Sequence, residues 1–406
     1  MSRDQIYRLS AWPLTLALLL AACAPVVQTQ LPTEISAASP AATLPEVAPT
    51  DTQPPATTVP IPTAAPTETQ EPPALSLTNP GPYFVGNRSY TIVDDSRDGR
   101  KINVTIYYPA LQEKDANGHV VRHKAAADLS SAPYPLILTG PNSGDYLLQT
   151  HLASHGLVTA IVRFPDLEYS DGWGFGIIDH PCDMTFALEQ LASNPPDGLE
   201  GVVNTDQAGA AGYSWDGFFS LVLGGVRIDP QHYLAWCNQA SSQQPPLEEW
   251  YLEYTCALAA NWDALSAHVG NDITTSDDGL WQPVTDERIR AVMPMAADGA
   301  WLYGEGGLAA VDRPVLMIQA TEDSQYQPAE AAFIYENLGT QAKSMISFIG
   351  KDHMMVMDPE QANRMRHFAT AFFGYYLQGR EDYLELFSQD FVSQFADLAW
   401  GIYTGE

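Results

Sequence analysis

Short apolar runs recur along the chain from residue 134 onward, each closed by a turn of glycine or polar residues. Runs at 134–139, 157–162, 289–295, 314–319 and 344–349 are rich in Val, Ile, Leu and Met and have the length of strands. Between them lie stretches with helical spacing, at 146–154, up to residue 191, from 215 onward, at 330–337, at 360–377 and at 383–391. Strand, helix and strand within residues 134–162 make a βαβ unit, so the sheet is at least partly parallel. Two alternating segments, 90–93 and 102–108, precede it around a turn at 94–99. A loop is expected over 163–180, with Asp179 or Asp183 capping the helix that follows. The rhythm breaks over 233–266, which is rich in Trp, Tyr, Leu and Gln. That stretch reads as a helical cap inserted at about 230–285 into an α/β domain, with a mostly parallel central sheet and helices on both faces.

The first 79 residues follow a different pattern. Arg3 and Arg8 precede an apolar run over 12–20, and Leu20-Ala21-Ala22-Cys23 closes it with small residues. This is the layout of a secretion signal over 1–23, too short for a membrane span. It resembles the bacterial lipoprotein signal, and the resemblance implies that Cys23 becomes a lipidated N-terminus on the outer side of the cell membrane. An ordinary secretory peptide cut near Ala22 is the alternative. Residues 24–79 are dominated by Pro, Thr and Ala and lack the aliphatic residues to build a core, so they read as an extended tether. The folded domain is expected over 80–406.

Charge narrows the partners. The 406-residue chain carries 49 acidic and 19 basic residues, a formal net charge of −30. So few cations leave no basic patch for nucleic acid, and the balance disfavours strongly anionic substrates. In an exported chain Cys237 and Cys256 are candidates for a disulfide, leaving Cys182 over; three buried thiols are the alternative. His151, His155 and His180 lack a convergent ligand spacing, and no dinucleotide fingerprint follows a strand, so neither metal nor cofactor is expected.

The chemistry centres on residues 207–220, Q-A-G-A-A-G-Y-S-W-D-G-F-F-S. Ser214 falls between a strand and a helix, the place of a nucleophile elbow, where a sharp turn presents the hydroxyl clear of both elements. The usual pattern is G-x-S-x-G, but here Asp216 occupies the last position and the glycine comes at Gly217. Serine needs a base, and the base needs an acid to fix its tautomer. His353, in the turn after 344–349, is the base. Two acids compete: Asp323 after 314–319, and Asp298 after 289–295. All of these follow strands, which is where ligand chemistry gathers in open α/β sheets.

From about 81 to 377 the chain resembles bacterial α/β-hydrolases of the dienelactone hydrolase and platelet-activating-factor acetylhydrolase-like group. The pieces that carry the resemblance are Gly81-Pro82-Tyr83-Phe84-Val85-Gly86, Leu152-Ala153-Ser154-His155-Gly156, the serine elbow, Arg313-Pro314-Val315-Leu316-Met317-Ile318 and the histidine turn. It implies an α/β-hydrolase fold, Ser214 as nucleophile, His353 as base and then acid, and an aspartate as orienter. Many bacterial members favour the position of Asp323, whereas the acetylhydrolases place the acid after the preceding strand, near Asp298. The resemblance implies an oxyanion hole built from the Trp215 N–H and an N–H of the residue after Gly140. That residue is Pro141, which has none, so the second donor shifts to Asn142 or is weak. Asp216 is expected to turn away from the hole as a first-turn helix acid. Trp173, Phe175, Trp215 and Trp301 suggest a pocket for an apolar or aromatic ester, including acetylated phospholipid. A peptidase, or a non-catalytic binding lipoprotein on the same fold, remains the alternative. The pattern leaves the oligomeric state open.

Overall fold

The computed structural model describes residues 74–142, 146–166, 174–240, 242 and 247–405. The expected signal segment with Cys23, residues 24–73 of the expected tether, and Trp173 lie outside the described residues.

Nine strands form one sheet. In chain order they are β1 (Phe84–Asp94), β2 (Arg100–Ala110), β3 (Tyr134–Thr139), β4 (Val158–Arg163), β5 (Val203–Tyr213), β6 (Ile289–Met295), β7 (Val315–Ala320), β8 (Lys343–Phe348) and β9 (Leu398–Trp400). Across the sheet the order is β1-β2-β4-β3-β5-β6-β7-β8-β9. Neighbours from β4 to β8 run parallel, while β1, β2 and β9 pair antiparallel at the edges.

The continuous apolar runs follow from burial on both faces, as expected for parallel strands covered by helices. On one face Ile137, Tyr213, Met293 and Ile318 meet α1 (Tyr146–Ser154) through Leu152 and α10 (Pro359–Gln378) through Phe368 and Phe372. On the other, Leu136, Ala210, Val292 and Met317 meet α2 (Gly176–Ser193), α3 (Trp215–Leu223) and α8 (Ala300–Leu308). A mostly parallel sheet with helices on both faces, in this strand order, is the α/β-hydrolase architecture.

Between α3 and β6 lie the short helices α4 (Pro230–Ala240), α5 (Glu249–Cys256), α6 (Trp262–Val269) and α7 (Asn271–Thr274). The ring of Tyr233 packs at a tilt against those of Trp262 and Trp301, and Trp262 likewise against Trp281, so these helices share the core of the α2–α3 face. Cys237 and Cys256 form a disulfide that joins α4 to α5, and Cys182 is a buried thiol.

Several boundaries differ from the sequence expectation. The first hairpin is longer, because β1 and β2 pair through eleven residues each. Strand β5 starts at Val203, ahead of the 207–220 stretch, because Val203 and Asn204 pair with Tyr134 and Pro135 at the start of β3. Neither Asp179 nor Asp183 caps α2: the helix begins at Gly176 and carries Pro181 in its second turn. There Asp183 receives ion pairs from Arg97 and Arg100, and Asp179 pairs with His268 of α6. The end of the chain adds the edge strand β9, preceded by a 3-10 turn at Glu381–Phe387 and the short helix Gln389–Val392 rather than by one helix.

Candidate active site

Ser214 is the single residue between β5 and α3. Its φ of 58° and ψ of −121° lie where side chains rarely sit, a strain of about 1 to 3 kcal/mol that the surroundings must hold. Two glycines allow it. A Cβ at Gly212 would stand 2.1 Å from the Asp216 carbonyl oxygen, and one at Gly217 would stand 2.6 Å from the Met295 carbonyl oxygen. The displaced glycine of the motif thus lets α3 approach β6. The Ser214 N–H donates to the Met295 carbonyl at 2.9 Å, tying the elbow to that strand.

Ser214, His353 and Asp323 meet in one hydrogen-bonded line. His353 Nδ1 lies 2.8 Å from Asp323 Oδ2, and His353 Nε2 lies 2.9 Å from Ser214 Oγ. A carboxylate only accepts, so Nδ1 carries the hydrogen and Nε2 is left to accept from the serine hydroxyl. Asp323 is fixed in turn: its Oδ1 accepts from the backbone N–H groups of Gln325 and Tyr326, both at 2.9 Å. The Tyr213 hydroxyl donates to the His353 carbonyl at 2.6 Å and anchors the histidine turn to the strand that carries the serine.

Asp298 is placed elsewhere. It is fully buried and accepts from its neighbour's N–H, at Gly299, and from the Trp301 indole at 3.0 Å. Its other partner is the Glu330 side chain from α9 (Pro328–Asn337). Burial and the Asp298 carboxylate hold the Glu330 carboxyl well above the usual carboxylate range, so that this pair shares a proton.

A cavity of about 370 Å³ opens at Ser214, lined by Asn142, Trp215, Trp250, Tyr254, Gln325 and Tyr326. Trp215 is the first residue of α3, and the opening turn of a helix points its N–H groups outward, toward a developing negative charge. Asn142 shares the cavity, whereas Pro141 offers no N–H. Asp216 is 1% exposed and turned under the loop after β3: a Cβ on Gly140 would lie 2.2 Å from its Oδ1.

Two of the aromatic residues expected in the pocket are not in this lining. Trp301 is fully buried behind it, bonded to Asp298, and Phe175 stacks on His268 of α6. The sequence reading missed Trp250, Tyr254, Gln325 and Tyr326. Only their places hinted at a role: two in the cap insertion, two directly after Asp323. The other histidines bind structure, with His151 on the Leu77 carbonyl, His155 on the Asn79 carbonyl and His180 on Asp166.

Comparison of the sequence with protein-family models and with curated proteins found no match. The geometry therefore carries the assignment: Ser214, His353 and Asp323 form a serine-hydrolase triad on an α/β-hydrolase architecture, arranged for acyl-enzyme chemistry.

Proposed function

We propose that the chain is a carboxylic ester hydrolase, tethered outside the cell by a lipid on Cys23. The triad opening directly into the Ser214 cavity carries the ester reading. As Ser214 Oγ attacks an ester carbonyl, its proton passes to His353 Nε2, and the imidazolium is stabilised by Asp323. The alkoxide of the leaving alcohol takes that proton as the carbon–oxygen bond breaks. Water then enters by the reverse sequence, and the acid departs from Ser214. Among the described residues the cavity lining presents aromatic rings and amides and no cationic side chain, which suits a neutral ester with apolar or aromatic parts. The net charge of −30 agrees with exclusion of strongly anionic substrates. The similarity to platelet-activating-factor acetylhydrolase-like enzymes makes short acyl groups, including acetyl esters of phospholipids, the first substrates to try.

A panel of chromogenic esters and matched peptide amides tests the reaction. Ester turnover that vanishes in Ser214→Ala, with little amide turnover, is expected; full ester turnover in purified Ser214→Ala would reject the reading. Anchoring rests on the Leu20–Cys23 pattern and is tested separately. The full chain expressed in a bacterium should partition into detergent and incorporate labelled palmitate, and Cys23→Ser should do neither.

A further inference from the structure

In the loop after β3 the residue after Gly140 is Pro141, which has no N–H to offer a reacting oxygen. A phenol stands close to the same reaction centre. Tyr326 lines the cavity beside Ser214, its ring meets that of His353 edge-on at 5.0 Å between centroids, and its side chain interacts with that of Ser214. Its backbone is fixed at both ends. The N–H donates to Asp323 Oδ1 at 2.9 Å, and the carbonyl accepts from the Gln319 amide at 3.0 Å. Its hydroxyl is held as well, lying 3.1 Å from the hydroxyl of Tyr254. Tyr254 is on α5, two residues before the cysteine that joins this helix to α4.

We propose that Tyr326 is a catalytic residue whose hydroxyl donates a hydrogen bond to the oxygen that becomes negative in the tetrahedral transition state, with Tyr254 positioning it. The proposal rests on the serine-hydrolase reading of the site. Either hydroxyl can donate in the tyrosine pair, but each has one hydrogen. When Tyr254 donates to Tyr326, the Tyr326 hydrogen is left for a reacting oxygen. The oxyanion is bonded to the same carbon as Ser214 Oγ. A donor beside Oγ in the resting enzyme therefore borders the space in which that oxyanion forms. Burial raises both phenols above their ordinary ionisation range, so both keep their hydrogens through alkaline pH. A rigid, desolvated donor costs no reorganisation during the reaction, and losing one such donor typically lowers kcat by about 10² to 10³. Trp215 and Tyr326 would then hold the oxygen from the elbow and from the acid loop.

The test compares wild type, Tyr326→Phe and Tyr254→Phe in the full-length protein. The readouts are kcat and KM on a soluble chromogenic ester, and the rate at which a fluorophosphonate probe modifies Ser214. The phosphonylated serine is tetrahedral, so this rate reports on the donors without requiring an ester substrate. Tyr326→Phe is expected to lower kcat and the phosphonylation rate by about 10², with KM changed less than about threefold and the fold retained. Tyr254→Phe should lower both rates by about tenfold. Wild-type rates in folded Tyr326→Phe would overturn the proposal; if that variant does not fold, wild-type rates in folded Tyr254→Phe would do the same. A wild type that reacts with the probe but cleaves no ester would remove the ester reading, and the phosphonylation rates would still decide the role of Tyr326.

Discussion

Asp323 and Asp298 sit at the carboxyl ends of neighbouring parallel strands, β7 and β6, and both are buried. Each accepts backbone N–H bonds that hold the carboxylate in place. They differ in what the second oxygen meets. Asp323 Oδ2 meets His353, a base that gains charge during the reaction; Asp298 Oδ2 meets the Trp301 indole, and its neighbour Glu330 supplies a proton. The first carboxylate can therefore stabilise a charge that appears only in the transition state. The second is occupied in the ground state, joining the end of β6 to α8 and α9. Position after a strand brings an acid to the catalytic edge, and the reach of the histidine turn selects which acid is used.

The two sites predict variants of very different effect. Removing the group that both sides of the triad serve comes first: Ser214→Ala should reduce kcat by about 10⁵ to 10⁶, as measured by steady-state ester turnover. Asp323→Asn keeps the shape but permits the wrong histidine tautomer, and should reduce kcat by about 10⁴ with the melting temperature nearly unchanged. At the second site the effect shifts from rate to stability. Asp298→Asn faces a buried indole donor and the Glu330 carboxyl, and should cost about 1 to 3 kcal/mol of unfolding free energy with kcat lowered less than about tenfold.

The smallest effect depends on pH. Glu330 keeps its proton in the folded chain well above the ordinary value of 4.5, because its carboxyl is buried and faces the Asp298 carboxylate; the hydrogen bond with Tyr251 opposes the shift without overcoming it. The unfolded chain gives that proton up once the pH passes 4.5. The native state then binds more protons than the unfolded state, so this contribution to stability is complete below pH 4.5 and is lost as pH rises toward the folded pKa. Glu330→Gln removes the titration while retaining a donor toward Asp298. Its melting temperature relative to wild type should increase from pH 4 to pH 9; a constant difference would show that the carboxyl does not titrate in this way.

The chemistry that depends on order along the chain was legible in the sequence. Ser214, Asp323 and His353 each follow an aliphatic run, and such runs mark strands buried on both faces, whose carboxyl ends share one edge of the sheet. What depends on contacts between distant segments was not. Asp298 satisfies the same rule as Asp323, and only the fold shows that Trp301 and Glu330 claim it. The glycine at 217 looked like a defect in the elbow motif, yet it is required by the approach of α3 to the Met295 carbonyl on another strand. The sequence suggests a loop to residue 180 with Asp179 or Asp183 as the cap of the next helix, but the helix begins at Gly176 and ion pairs from Arg97 and Arg100 hold Asp183 within it. Trp301 looked like a pocket residue because composition does not distinguish an aromatic that lines a cavity from one buried behind it. Tyr254 and Tyr326 lie 72 residues apart and carry no motif; their pairing emerges only when the cap folds over the acid loop.

The most direct test of the triad is the rate of fluorophosphonate modification of Ser214, confirmed by mass spectrometry of the modified peptide, in wild type, Asp323→Asn and Asp298→Asn. Rapid labelling of wild type at Ser214, a loss of about 10³ or more in Asp323→Asn and a change below about tenfold in Asp298→Asn are predicted. Equal labelling of wild type and Asp323→Asn, or a collapse of labelling in folded Asp298→Asn alone, would contradict the assignment of Asp323 as the acid that serves His353.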